Sequence, residues 1–222
     1  MMSHISPGIL TDTFRLMAAK HLVILGAGGH AHSVADVAMA NDPELRITFV
    51  GDSTTTDKEI YGFPIVNEIP DDMNAEYFVA VGDNHTRARL LDSLSGRTIA
   101  SVIANDVHIG HQTTIAEGVF VGHQAYIGPD AVIGRGVIVN TRAIVEHQVL
   151  MEEFSQVTPA CVIAGHAKLG AYCFIGLAAR VIDRVTIIAD TKVGAGAVVV
   201  KDITEPGTYV GIPAHKVTGT HV

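Results

Sequence analysis

The chain has 222 residues, 48% hydrophobic and 5% aromatic with no Trp, which is enough apolar material for a sizeable core in one or two domains without metal or disulfide staples. A formal net charge of -8 and a pI near 5.8 exclude a general binder of nucleic acid or anionic membrane, since the surface lacks the basic excess that phosphates or lipid headgroups require. Cys161 and Cys173 are too few for a disulfide framework and their spacing fits no metal motif, so the expected setting is reduced and cytoplasmic.

Residues 1–19 hold Leu10, Phe14, Leu16 and Met17, interrupted by Asp12 and Arg15, and read as an extension or a short helix rather than a signal peptide or membrane span. From His21 the chain alternates between strand and helix: "HLVILG", a glycine-rich turn, "HSVADVAMA", "ITFVGD", then "EYFVAVGD", "NHTRARLLDSL" and "TIASVI". Apolar β-branched runs that end in Gly or Asp, separated by helix-compatible segments, predict a small parallel α/β sheet of Rossmann-like type over residues 20–102. The turn "GAGGHA", Gly26 to Ala31, follows a strand and opens a helix. Two readings stand for it: a loop that cradles phosphate with free helix N–H groups, or a tight strand-to-helix connection. Asp52 ends the next strand, where a carboxylate can accept from a ribose hydroxyl.

The rhythm then changes. Every sixth residue from Ile109 through Val145, Val157 and Ile163 to Val199 is aliphatic or Met, and four residues after each sits a small or apolar side chain, as at Ala143, Cys161, Ala167 and Cys173. Neither helical nor simple strand periodicity yields a strict six. A hexapeptide repeat does, and it predicts a parallel β-helix over residues 103–217, followed by a tail at 218–222. Both cysteines fall on the inward small position and read as core. His147, third in its hexad, is expected to point outward near a corner.

Together "GAGGHA", "VGDNHTR", "VNTRAIVEH" followed by "CVIAGH", and the closing "VGIPAHKV" resemble the sugar acetyltransferases of the left-handed β-helix superfamily. These enzymes use acetyl-CoA to acylate nucleotide-linked amino sugars of the bacillosamine and perosamine type, and the sialic acid O-acetyltransferases are relatives. The resemblance implies three hexads per coil, so that residues eighteen apart stack and His147 lies between Pro129 and Gly165. It also implies a homotrimer, with coenzyme A between neighbouring β-helices and a UDP- or GDP-linked amino sugar on the N-terminal domain, serving surface polysaccharide or glycan synthesis. No metal is implied: the carbonic anhydrase branch of the superfamily binds zinc through histidines, but His111, His123, His147 and His166 lack its spacing.

By position the resemblance makes His147 the general base, with Gly165 giving its N–H to the tetrahedral intermediate. Gly28, Gly29 and His30 fall at the phosphates, Asp52 at the nucleoside or sugar, and Gly82 and Asn84 in a second substrate loop. Asn140, Gln156, Leu177, Ala195 and Pro213 fall on the coenzyme A side. Imidazole, which titrates near neutral pH, suits the removal of a proton from an attacking amine. Two departures stand out: Gln148 replaces the acidic residue that usually follows the base, and Gln156 replaces a histidine associated with the thioester carbonyl. His111 and His123 read as solvated corner residues, Lys201 as a solvated charge, and His166 as either a site residue or a corner residue. The alternatives to N-acetylation are O-acetylation of the sialic acid type, or a trimer that binds nucleotide sugar with weakened catalysis.

Overall fold

The computed structural model describes residues 20–217. The extension expected over 1–19 and the tail at 218–222 lie outside the described residues.

The first part is built from β1 (His21–Leu25), α1 (Gly29–Asn41), β2 (Arg46–Val50), β3 (Glu59–Ile60), β4 (Phe63–Val66), β5 (Glu76–Val79) and α2 (Asn84–Asp92). The strands order as β3-β4-β2-β1-β5, with β1 parallel to both of its neighbours. Leu22 and Ile24 face α1, while Val23 and Leu25 face the α2 side, so β1 is covered on both faces and its sequence is accordingly apolar throughout. The β3–β4 hairpin escaped the sequence reading. Its signal is the pair Tyr61-Gly62, both at positive φ (52° and 81°), the conformation of a two-residue hairpin turn whose twist suits the flanking strands.

The single strand expected over "TIASVI" is divided between two sheets. Thr98 and Ala100 bond to Tyr77 at the edge of β5, whereas Val102–Ile103 pairs with Phe120–Val121 as the first rung of the following β-helix. The two parts of the protein are therefore joined without a linker. α1 lies between the sheet and the β-helix, its Ala31, Val34, Ala35 and Ala38 sharing one core with Phe120 and Ile138.

The β-helix has three parallel sheets. Face 1 includes the strands at Phe120, Ile138, Gln156 and Phe174, face 2 those at Tyr126, Ile144, Val162 and Arg180, and face 3 those at Val132, Leu150 and Lys168. Tyr126 pairs with Ile144 and Ile144 with Val162, an offset of 18 residues per coil. The hexad positions point inward: Val145, Val157, Ile163, Ile175 and Val193 are all buried. Ile109 and Ile115 are only partly covered, because they belong to the first coil. Cys161 and Cys173 are core, as expected; burial raises both thiols, Cys173 to about 11, which keeps them protonated. At the C-terminal end the offset shortens to 16, Thr191 pairing with Gly207, and the antiparallel strand His215–Lys216 closes the face.

Every sixth residue from Gln112 to Gly196 has positive φ, and only Gly118, Gly136 and Gly196 among them are glycines. Each of these left-handed residues marks a corner between two faces. From residue 130 onward its N–H reaches the carbonyl nineteen residues earlier: Gln148 bonds Pro129 O at 2.9 Å, Ala160 bonds Thr141 O at 3.0 Å, and His166 bonds His147 O at 3.0 Å. His123, expected as a solvated corner residue, instead lies 2.9 Å from Asp106 Oδ1 and 3.6 Å from Asp36 of α1, which draws it into the joint between the two parts.

A non-glycine residue in this conformation carries strain of about 1–2 kcal/mol. Ala160 is exposed with φ of 61°, so its methyl contributes little packing. Ala160→Gly is expected to stabilise the fold by about 0.5–1 kcal/mol in chemical denaturation, since relieved strain outweighs the added freedom of the unfolded chain.

Candidate active site

His147 sits on the corner between faces 2 and 3, in the turn that joins Ile144–Val145 to Leu150–Met151. Gln148 takes the left-handed turn position (φ 58°), which leaves His147 outside the prism. The imidazole lies against the main chain of the next coil: a Cβ at Gly165 would stand 2.5 Å from both its Cε1 and its Nε2. The space that glycine leaves there is filled by the imidazole itself rather than kept open for a ligand. The His166 ring stands edge-on at 5.1 Å and 90°. Gln148 Oε1 lies 3.2 Å from Nδ1; with a carbonyl as partner, Nδ1 carries the hydrogen and Nε2 keeps its lone pair. Among the described residues no protein acceptor takes the Gly165 N–H.

Gly28, Gly29, Asp52 and Gly82 gather at the carboxyl ends of β1, β2 and β5, the edge where open α/β sheets bind ligands. Gly26 and the next two glycines differ in kind. Gly26 has φ of 115° and a Cβ there would meet Ala80 O at 2.7 Å, so the fold itself demands glycine. Gly28 has ordinary extended geometry, and a Cβ at Gly28 or Gly29 meets nothing within 4 Å. Nothing in the fold itself requires glycine at these two positions, which stand open beside the uncapped N-terminus of α1. His30 packs edge-on against Phe120 at 4.9 Å, and its Nε2 is buried without a partner. Burial, helped by the Arg87 charge, lowers its pKa to about 4, so the ring is neutral at physiological pH. Asp52 Oδ1 already binds the Thr54 N–H at 2.8 Å and hydroxyl at 2.6 Å, which holds its carboxyl below the usual range, while Oδ2 has no hydrogen-bond partner among the described residues.

Asn84 is held by its neighbours. Its Nδ2 donates to Tyr172 O (2.8 Å) and Cys173 O (3.2 Å), and its Oδ1 accepts from Arg87 (2.8 Å) and from Gln156 (2.6 Å). Arg87, 1% exposed, also donates to Gly136 O, Phe154 O, Val81 O and Gly82 O. Desolvation lowers its pKa to about 10, with Asp83 opposing the shift, and it remains a cation at neutral pH. Beside this network a cavity of about 330 Å³ opens between the 82–85 segment and face 1; Gln156, Phe174 and Lys192 form its far wall. His85 stacks on Tyr172 at 4.3 Å and reaches Asp190 at 2.7 Å along one side.

Asn140, Leu177 and Ala195 share the corner between faces 1 and 2, Leu177 and Ala195 on successive coils and Asn140 two coils before Leu177, and Pro213 lies in the closing loop between Gly207–Val210 and His215–Lys216. Leu177 and Ile212 are exposed, which gives this end an apolar surface. Asn140 spends its Oδ1 on the Thr141 N–H at 2.8 Å. The predicted residues thus form separate groups. His147, Gln148 and Gly165 occupy the corner between faces 2 and 3, across the prism from face 1, which carries the N-terminal part.

The sequence family described as the PglD N-terminal domain matches residues 21–94. The acetyltransferase domain of PglB from Neisseria gonorrhoeae FA1090 superposes with a TM-score of 0.84 at 30% identity, covering 89% of this chain and 100% of that one. The chain belongs to the hexapeptide-repeat β-helix acetyltransferases. A variant of GDP-perosamine N-acetyltransferase from Caulobacter crescentus, in complex with CoA and GDP-perosamine, superposes at 0.82 with 31% identity over 90% of this chain and 97% of its own. A probable mitochondrial UDP-3-O-acylglucosamine N-acyltransferase of Arabidopsis thaliana is 34% identical over 68 residues, a stretch that spans 22% of that protein.

Within this acetyltransferase fold, sequence reading missed Arg87, whose place in "DNHTR" resembles any helix-surface charge. It also missed the wall residues Phe174, Asp190 and Lys192, which take outward or corner positions of the hexad that carry no pattern. The glycine contrast yields a test by thermal and chemical denaturation. Gly26→Ala is expected to destabilise by more than about 1 kcal/mol through its left-handed backbone and the clash. Gly29→Ala, inside α1, is expected to be neutral or stabilising by up to about 1 kcal/mol.

Proposed function

We propose that the chain catalyses acetyl-CoA-dependent N-acetylation of the 4-amino group of a nucleotide-linked amino-dideoxy sugar. The observation that carries this reading is the seating of His147, with Gln148 on one nitrogen, the other without a hydrogen-bond partner among the described residues, and the Gly165 main chain directly against the ring. In the reaction the sugar amine attacks the thioester carbonyl while His147 Nε2 takes the proton from nitrogen. The oxyanion of the tetrahedral intermediate accepts the Gly165 N–H. Collapse expels coenzyme A as thiolate, which recovers the proton from the imidazolium. No covalent enzyme intermediate is needed.

The sugar nucleotide is read as lying with its diphosphate at Gly28, Gly29 and His30, its nucleoside or sugar near Asp52, and its sugar end toward Gly82. Acetyl-CoA is read as running along the corner of Asn140, Leu177 and Ala195 toward Pro213. Because His147 faces away from the N-terminal part of its own chain, a complete site takes the histidine from one subunit and the strand-end loops from another. This supports a homotrimer. The Caulobacter relative was solved with GDP-perosamine, and we extend the nucleotide to GDP or UDP. Acetyl-CoA and sugar nucleotides are cytoplasmic metabolites, which supports a cytoplasmic step in surface polysaccharide or glycan synthesis.

Protein mixed with acetyl-CoA and UDP- or GDP-linked amino sugars is expected to release thiol, read with a thiol reagent, and His147→Asn is expected to lower turnover by about a hundredfold or more with the fold intact. Release only with hydroxyl acceptors would make it an O-acetyltransferase, and nucleotide-sugar binding without any release would make it a binding protein. Gln148→Glu puts a carboxylate on Nδ1, which favours the imidazolium. Its kcat/KM profile is expected to lose activity at a higher pH on the acid side and to gain rate on the alkaline plateau.

A further inference from the structure

Gln156 stands where the resemblance expects a donor to the thioester carbonyl, and its own hydrogen bonds run elsewhere. It is 5% exposed on face 1, with Nε2 at 2.6 Å from Gly82 O and 2.6 Å from Asn84 Oδ1. A main-chain carbonyl only accepts, so the group facing Gly82 is the NH2 and both of its hydrogens are engaged. What remains is Oε1, which has no protein donor among the described residues, on a residue that lines the cavity. An amide oxygen cannot donate to a thioester carbonyl or to the oxyanion formed from it.

We propose that Gln156 is a positioning residue that fixes the 82–84 loop for the nucleotide sugar and gives no hydrogen bond to the acetyl group. Its partner Asn84 is fully occupied, Nδ2 on the Tyr172 and Cys173 carbonyls and Oδ1 on Arg87 and Gln156. The loop therefore meets a ligand with its main chain, and the N–H groups of Gly82 and Asp83 have no backbone acceptor of their own among the described residues. A histidine in place of Gln156 directs one ring N–H at two acceptors; glutamine serves both. The proposal rests on the reading of this loop as part of the nucleotide-sugar site.

Gln156→Met keeps the length and removes both donors. Losing them is expected to raise KM for the nucleotide sugar about tenfold, the effect of roughly one net hydrogen bond, with kcat and KM for acetyl-CoA within about twofold of the parent. Gln156→His is expected to fall between the two. A tenfold loss of kcat at saturation with unchanged KM would make Gln156 the thioester donor, and constants that all stay put would leave it no role; either overturns the proposal. If Gln156→Met does not fold, Gln156→His is read by the same split. If the parent protein acetylates no nucleotide amino sugar, the proposed function fails by itself, and amide hydrogen exchange decides this inference. Exchange of the 81–88 segment is then expected to speed up in the variant while that of 28–38 does not, and equal exchange would overturn it.

Discussion

The structure depends on the hydrogen bond that each left-handed corner residue from Asp130 onward makes to the carbonyl nineteen positions earlier. Gln148 to Pro129, His166 to His147 and Arg184 to Gly165 are successive instances on one corner. A corner turned this way brings the chain round in six residues, which aligns each hexad over the one eighteen before it and buries the aliphatic position at every step. The strain of side chains in the left-handed region is offset by these bonds and by the core that they register. The same turn sends its third residue outward. That is why a histidine can stand on the surface of a rigid solenoid with the next coil's main chain as its floor, instead of on a loop that must be ordered when substrate binds.

The N-terminal part is rigid for a different reason. α1 is enclosed between sheet and β-helix, and α2 is tied to the corner between faces 3 and 1 by Arg87 and by the stack of Phe154, Tyr172 and His85. The loops at the strand ends are thereby set against face 1 before any ligand arrives. Such preorganisation lowers the ordering cost of any binding there, and the strand-end loops and His147 stand on opposite sides of one subunit.

The repeat was legible because it recurs: the inward positions, the buried cysteines and the eighteen-residue register all follow from a pattern of six. The left-handed corners were not, because Gln, Arg, Phe, Ala and Tyr hold most of those positions and do not announce positive φ, while Gly, His and Asp recur there too irregularly to mark a period. The β3–β4 hairpin hid in too few residues to show alternation. At the site, residue types and the family resemblance singled out His147, Gln148 and Gly165, which the fold does bring together. The engagement of Asn84 and Gln156 with each other was invisible, since the two are 72 residues apart and joined only by the packing of one part on the other. His123 shows the same limit, its carboxylate partner on α1 being distant in sequence.

Of the acceptors around the buried Arg87 guanidinium among the described residues, only Asn84 Oδ1 belongs to a side chain; the others are carbonyls of the main chain. A joint made this way reads main-chain position at residues 81, 82, 136 and 154 rather than their side-chain chemistry; Gly136 and Phe154 are held for another reason, since a Cβ at Gly136 would meet the Phe154 ring at 2.5 Å and that ring is buried in the stack with Tyr172. It does not depend on an opposed carboxylate that dissolved ions could screen. The seating of α2 on the β-helix is accordingly set by main-chain carbonyls gathered round one buried cation, and a buried joint of this kind is screened little by dissolved salt.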